Sequence, residues 1–334
     1  MGERPPKPKT FLIIQTAFTG DAILATALIE KIASTIPGAE IDLVVRKGNE
    51  GLFTGHPYLR SLFVWDKRGG GKYRSLVDII RKARANRYDI CCNLQRYTTT
   101  AILALLSRAR MVVGFSGSPL ALWYTRSIAR RMDAAAGLTH EVDLYLRLLE
   151  GVVPDTGRVL PRLYPSREDV DSVRRTGPYV TIAPASVWFT KQYPAGRWSE
   201  VIGRISRDLT VLLIGGPADR EICENIRAGA PRDNVENMAG AHTFLQSAAL
   251  MKHAVMNYVN DSAPLHIATA MGAPVTAVFC STIPAFGFGP LGPNGRVVET
   301  DEPLGCRPCG IHGKRSCPEG HFRCADIAAD RIVT

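Results

Sequence analysis

Residues 11–37 read FLIIQTAFTGDAILATALIEKIASTIP. Phe11 to Thr16 is an apolar strand, Ala17 to Asp21 a polar break, and an amphipathic helix follows that ends near Pro37. This is a βα unit. Glu40 to Val45 supplies the next strand at once, and further strands are expected at Ser61 to Trp65, Asp89 to Leu94 and Met111 to Gly114, separated by helical patterns such as Ser75 to Ala85. Alternation of this kind predicts a mostly parallel, helix-covered sheet.

The pattern dissolves around Val153 to Gly177, where three prolines and dense charge predict a link with a short helix. It then restarts: strand Tyr179 to Ala183, helix Gly196 to Arg207, strand Thr210 to Ile214, the turn Gly215-Gly216-Pro217 and helix Ala218 to Ala228. Helix Thr243 to Lys252 has Thr243 and Gln246 at capping-box spacing, and strand Ala254 to Val259, helix Leu265 to Met271 and strand Val275 to Phe279 complete the half. Two α/β domains result, residues 1–165 and 166–334. A length of 334 residues is enough for each to bury its own core.

Composition narrows the class. With 46% hydrophobic and 22% charged residues the chain is globular, and its apolar runs are too short to cross a bilayer. The opening MGERPPKPKT lacks the apolar stretch of a secretory signal, and Pro6 occupies the Ser/Thr position of a myristoylation motif, so a cytoplasmic chain is expected. The net charge of +10 lies in the first half, where 24 Lys and Arg face 14 Asp and Glu; the second half has 17 of each. The first half should therefore meet something anionic: nucleic acid, a membrane surface, a phosphorylated acceptor, or merely solvent around a basic surface. Eight cysteines in a chain of this length without a signal read as reduced thiols. Four of them, Cys306, Cys309, Cys317 and Cys324, admit a structural zinc knot as an alternative, although their spacing is irregular for a ribbon or finger.

In doubly wound sheets ligands sit beyond the carboxyl ends of the strands, which selects five loops. Thr16 to Asp21 puts a carboxylate at the start of the first helix, where Asp21 serves either as an N-cap or as a general base kept ionised by the helix field. Pro184 to Lys191 offers Ser186, Thr190 and a lone cation, Lys191, a set suited to phosphate or simply a surface loop. Gly215 to Glu221 has glycines for close backbone approach and acids, Asp219 and Glu221, that suit ribose hydroxyls. Asp261, Ser262, Leu265 and His266 lie on a strand-to-helix turn whose open N–H groups make a pyrophosphate site, with His266 either a donor or a core residue. Gln95 and Arg96 end a strand of the basic half, where Arg96 can clamp an anion.

Other nucleotide-binding patterns are absent. No G-x-x-x-x-G-K-[ST] occurs, since Gly69-Gly70-Gly71-Lys72 runs on to Tyr73, and no G-x-G-x-x-G opens the first helix. Residues 119–131, PLALWYTRSIARR, are apolar and aromatic on one side and basic on the other; packing on their own sheet or lying on a membrane surface are both open.

Taken in order, the segments FLIIQTAFTGDAILATALIEKI, IAPASVWFTKQYPAGRWSEVI, LLIGGPADRE, the stretch from Asn237 to Pro290 and the cysteine-rich end resemble glycosyltransferase family 9, the lipopolysaccharide heptosyltransferases. The resemblance implies a GT-B fold, α/β with two Rossmann-like domains, the first taking an anionic glycolipid acceptor and the second an ADP-activated heptose. It implies Asp21 as catalytic base, Lys191 on the donor phosphates, and Asp261, Ser262, Leu265 and His266 as the pyrophosphate turn, with Ser186 and Thr190 beside it and Asp219 or Glu221 at the ribose. The acceptor would meet Thr19, Gly20, Lys67, Arg68, Lys72, Gln95 and Arg96. The chain departs from the family at Tyr193, where Trp is common, and at Ala263-Pro264, where Gly-Leu or Gly-Met is usual. A metal-independent inverting displacement without a catalytic cofactor follows, at the cytoplasmic face of the inner membrane. A nucleotide-sugar epimerase on the same fold, or a family member using another nucleotide sugar, is the alternative. No nucleic-acid-binding signature appears, so no nucleic-acid partner is expected.

Overall fold

The computed structural model describes residues 9–67 and 69–333. The chain divides into two compact units, Met1–Tyr164 and Pro165–Thr334.

The first unit carries strands β1 (Thr10–Ile14), β2 (Glu40–Arg46), β3 (Leu59–Trp65), β4 (Ile90–Asn93), β5 (Met111–Phe115) and β6 (Arg126–Ile128). Its helices are α1 (Thr19–Leu24), α2 (Thr26–Thr35), α3 (Lys72–Asn86), α4 (Thr98–Leu106) and α5 (Glu141–Arg147). The second unit has β7 (Tyr179–Ala183), β8 (Thr210–Leu213), β9 (Val235–Asn237), β10 (Asn257–Asn260), β11 (Val275–Phe279) and β12 (Gly295–Glu299). Its helices are α6 (Arg167–Ser172), α7 (Ala195–Arg204), α8 (Arg220–Ala228), α9 (Phe244–His253) and α10 (Ala263–Ala270). Both sheets are parallel, in the orders β3-β2-β1-β4-β5-β6 and β12-β11-β10-β7-β8-β9. In each, the chain builds from the centre to one edge, returns, and builds to the other. The order reverses between β1 and β4, and again between β7 and β10, which is where an open α/β sheet leaves a crevice for a ligand.

Burial on both faces explains why the central strands are apolar throughout rather than alternating. Tyr179 to Ala183 is wholly buried, as are Phe11 to Ile14. On one face of the first sheet, Leu12, Ile14, Val44 and Trp65 pack against Leu76, Ile79 and Ala83 of α3 and Ala101 and Ala104 of α4. Gly114 lets Tyr124 pack there, because a Cβ would lie 2.6 Å from the ring. In the second unit Trp198, Val201 and Ile202 of α7 meet Ile182, Val211 and Leu213, and Ile327 and Ile332 return from the C-terminal segment to the same core.

Two expectations change. The first helix breaks at Ala25 into α1 and α2. In residues 119–131, Ala121–Trp123 is one 3-10 turn, Arg126–Ile128 adds an edge strand, and Leu120, Ala121 and Tyr124 pack on the sheet's core. The strand expected at Ala254 starts at Asn257, and the helix expected at Leu265 starts at Ala263, with Pro264 in its first turn. Thr243 and Gln246 do form the capping box. Among the described residues, no helix is long and apolar enough to cross a membrane.

Candidate functional site

Each reversal of strand order gathers a polar cluster. In the first unit Gln15, just past β1, and Gln95, just past β4, are buried and bonded together: Gln95 Nε2 donates to Gln15 Oε1 at 2.5 Å, and Gln15 Nε2 donates to the Tyr145 hydroxyl at 2.9 Å. Gln15 Oε1 also accepts the Ala17 N–H, so these amides fix the path of the chain into α1. Gln95, expected on the acceptor, is thus engaged in joining the two loops. Thr19 donates to Asn49 Oδ1 at 3.1 Å, and Gly20 is partly exposed in the first turn of α1.

Asp21 follows in that turn. It is not the N-cap: Phe18 holds that position, and no side chain caps the helix. Nor does the helix field dominate its charge. Burial and then the negative charge of Glu141 raise its pKa from 3.8 to about 6, against backbone N–H groups at Phe18 and at Asp21 itself and the charge of Arg130. Glu141, itself buried, is paired with Arg130 at 2.6 Å. Asp21 is therefore ionised at neutral pH but close enough to titration to accept a proton.

Lys67 Nζ donates to the Thr16 carbonyl at 2.9 Å and lies 4.8 Å from the Trp65 ring centre and 5.8 Å from that of Tyr97. Burial, with Arg46 and Lys72 nearby, lowers its pKa to about 8. Lys72 begins α3, and Arg46 stacks over the half-exposed Phe18 at 4.9 Å. Arg96 is exposed next to Gly117. Arg68 lies outside the described residues.

In the second unit Asn260 joins the loops at the reversal, donating to the Pro184 carbonyl at 2.6 Å and accepting the Tyr193 N–H at 3.0 Å. Lys191 Nζ lies 2.6 Å from Asp261 Oδ2, both largely buried, and Thr282 donates to the same oxygen at 2.6 Å. Thr190, expected on the donor, is buried with its hydroxyl taken by the Lys314 N–H and the Ser281 hydroxyl. Ser186 is partly exposed, and its carbonyl accepts from Gln192. Ser262 is the N-cap residue of α10 but makes no side-chain cap bond. Leu265 and His266 are buried behind it, the His266 ring 6.3 Å from that of Phe288. Asp219 accepts the Gly216 N–H at 2.8 Å, whereas Glu221, in the first turn of α8, is exposed. Gly240 has φ +77° and touches the same turn, since a Cβ there would come within 2.9 Å of Pro217 Cα. Tyr193, the departure from the family pattern, is wholly buried: its hydroxyl bonds the Ile327 carbonyl at 2.5 Å and its ring packs on Trp198.

The late cysteines lie near one another: burial and then the charges of Cys309, Cys317 and Cys306 push the Cys324 thiol up to about 11. Cys306 Sγ is 3.9 Å from His321 Nε2, Cys317 Sγ accepts the Phe322 N–H, and Cys324 is buried. Among the described residues, no group of three or more His, Cys, Asp or Glu is placed to hold a metal ion. All eight cysteines are free of disulfides.

The family model described as glycosyltransferase family 9 (heptosyltransferase) matches residues 76–319. The chain belongs to this family. Among curated proteins, lipopolysaccharide heptosyltransferase 3 of Escherichia coli K12 is 28% identical over 280 residues, covering 79% of this chain and 80% of its own. Among solved structures, E. coli ADP-heptose lps heptosyltransferase II matches with a TM-score of 0.79 at 19% identity over 97% of this chain and 96% of its own. E. coli heptosyltransferase WaaC with ADP matches at 0.74 and 18% identity, covering 86% and 92%. The GT-B fold expected from the sequence is thereby shown, and the chain is a family 9 glycosyltransferase.

Its matched residues begin inside α3, after the Asp21 loop, so the case for Asp21 rests on the geometry around it. Sequence reasoning missed Arg130, Glu141, Gln15, Tyr145 and Arg46. Arg130 lies in an irregular loop and Glu141 follows it, and only the fold brings their charges to Asp21. In the second unit it missed Arg307, which donates to the carbonyls of Cys280 and Thr282 and pairs with Glu299, holding the loop that carries Thr282.

Proposed function

We propose that this glycosyltransferase moves a heptose from an ADP-activated donor to an anionic lipopolysaccharide inner-core acceptor, inverting the anomeric carbon. The observation that carries the reading is Asp21, a carboxylate at the reversal of the first sheet whose pKa of about 6 suits it to take a proton at neutral pH. The curated relative and the solved neighbours, whose names state heptosyl transfer and ADP, support the choice of donor.

Asp21 removes the proton of the acceptor hydroxyl as that oxygen attacks the anomeric carbon. The bond to the departing diphosphate breaks in the same step, and its negative charge is met by Lys191 and the positive end of α10, where the Ser262 hydroxyl makes no cap bond. Asp261 would repel phosphate if it faced it alone; paired with Lys191 it acts by holding that ammonium in place, while Thr282 satisfies the same oxygen. Glu221 takes the ribose hydroxyls, because the Asp219 carboxylate is committed to the Gly216 turn. Ser186, Ser262, Leu265 and His266 line the donor side. Arg46, Lys67, Lys72 and Arg96 receive the acidic groups of the acceptor, with Thr19 and Gly20 at the reacting end. The protein supplies the positive charge itself, so transfer needs no metal. Its place of work is the cytoplasmic membrane surface where such an acceptor is exposed.

NMR of the product formed from ADP-heptose and a deacylated core acceptor tests the reading. An anomeric configuration opposite to that of the donor, with a rate unchanged by EDTA, is expected. Retention, or no transfer from ADP-heptose while another nucleotide sugar reacts, would overturn it.

A further inference from the structure

The turn Ala121–Trp123 sits on the same face of the first sheet as α3 and α4: Leu120, Ala121 and Tyr124 share a core with Leu76, Ile79, Ala101 and Ala104. The outer surface of this layer is unlike an ordinary polar covering. Leu122 is 92% and Trp123 65% exposed, adjacent on a single 3-10 turn. Helix α4, TTTAILALL, has no charged residue, and its Ile102 and Leu106, one turn apart, both face solvent. On α3, Tyr73 and Val77 repeat that spacing. Isolated exposed apolar residues are normal, but several on one layer mark an interaction surface.

Charge indicates what meets it. Residues 67–131 contain fourteen Lys and Arg against Asp78 and Asp89 alone. Arg74, Arg81, Lys82 and Arg108 are exposed on the same two helices and the turn after α4. A second copy docking through this face would set the same positive surplus against itself. Nucleic acid would meet the cations and leave Leu122 and Ile102 unsatisfied. An anionic bilayer satisfies both, with Trp at the headgroup level, aliphatic side chains below it, and cations over lipid phosphates.

We propose that α3, α4 and the Ala121–Trp123 turn dock on an anionic phospholipid surface, Leu122 and Trp123 entering the boundary between headgroups and acyl chains. This deepens the reading of a lipid-linked acceptor and rests on it for its purpose, not for its observations.

The test is co-sedimentation of the full chain with sucrose-loaded vesicles of phosphatidylcholine, with and without phosphatidylglycerol, and no glycolipid. Wild type should pellet with the anionic vesicles, release as salt rises, and ignore the neutral ones. Leu122→Ala with Trp123→Ala should weaken binding at least about tenfold, given the apolar area removed. Arg74→Gln with Arg81→Gln should weaken it and flatten the salt response. Both sites are exposed, and unchanged urea unfolding followed by the fluorescence of Trp65 checks that the first unit of each variant is folded. Wild type that ignores anionic vesicles, or apolar variants that bind like wild type, would overturn the proposal. So would a dimer in light scattering that dissociates in the Leu122, Trp123 variant, which would make a second copy the occupant. Because the vesicles carry no acceptor, failure here leaves the transfer reaction standing, and failure of product formation leaves this binding standing.

Discussion

Replacing Asp21 by Asn should inactivate the enzyme and stabilise its first unit at the same time. Raising a carboxyl from 3.8 to about 6 means that the fold opposes the ionised form by about 3 kcal/mol at pH values above both figures. The folded state binds the proton more tightly than the unfolded one, so this cost is absent below about pH 4, grows as pH rises towards 6, and is complete beyond. Asn carries no charge and avoids it, while its carbonyl oxygen can still accept one of the backbone N–H groups that the carboxylate uses. Lost polar contacts reduce the gain, leaving a net of about 1 to 3 kcal/mol at pH 7.5. Turnover should drop by about 10² to 10⁴ with ADP affinity unchanged. Urea unfolding followed by tryptophan fluorescence suits the stability measurement, since Trp65 and Trp123 lie in the first unit and Trp188 and Trp198 in the second, so Trp→Phe versions separate the two. The decisive comparison is between pH 4 and pH 7.5. A variant no more stable than wild type at pH 7.5, or equally stabilised at both, would refute the assignment of a burial-strained carboxylate. A turnover within a few-fold of normal would refute its role as base.

The same environment makes Glu141→Gln informative: with its charge gone and Arg130 unopposed, Asp21 should titrate lower, moving the acid limb of the kcat/KM profile to lower pH; an unmoved limb would separate Asp21 from that pair. Lys191→Met should raise the Kd of ADP about ten- to a hundredfold and destabilise the second unit, because Asp261 is left buried with only Thr282. Adding Asp261→Asn should restore stability but not ADP affinity, and recovery of both in calorimetry would remove Lys191 from the donor site. Lys67, lowered to about 8, should lose its charge as pH passes that value, so the acceptor KM should rise from pH 7 to pH 9 in wild type and stay flat in Lys67→Met.

The fold was legible because its central strands are buried on both faces and so appear as continuous apolar runs, with the helix start at Thr243 written in its capping box. Of the edge strands, β3 was legible at Ser61 to Trp65, but β6, β9 and β12 were not. Arg126–Ile128 and Val235–Asn237 are three residues long with two of the three polar, too short for any period to show, and they exist because a neighbour offers an open ladder. Site positions divide in the same way. Asp21, Lys191 and Asp261 lie in the segments that follow central strands, so the rule that ligands sit beyond strand ends nominates them. Arg130 lies in an irregular stretch and Glu141 opens α5 after it, and their effect on Asp21 is a matter of distance in space that no local pattern encodes. Tyr193, where Trp is common in the family, belongs to the core: its hydroxyl bonds the Ile327 carbonyl and its ring packs on Trp198.

The acids of these loops differ in how their charge is met. Asp219 gives an oxygen to the Gly216 N–H, and Asp261 gives one to both Lys191 and Thr282. Their position in these loops is therefore accounted for by the loops themselves, which would lose shape without them. Asp21 differs: burial raises its pKa, and the charge of Glu141 opposes its ionisation more than that of Arg130 favours it. A fold under selection for stability alone would replace it by a neutral side chain. An ionisable group kept where it weakens the fold calls for a reason outside stability, and accepting a proton supplies one. The same argument favours Glu221 over Asp219 at the ribose, since an exposed carboxylate in the first turn of α8 can receive hydroxyls without surrendering a bond that shapes the turn. Glu221→Gln should thus weaken ADP binding while leaving unfolding unchanged, whereas Asp219→Asn should change both; the opposite pattern would exchange their roles.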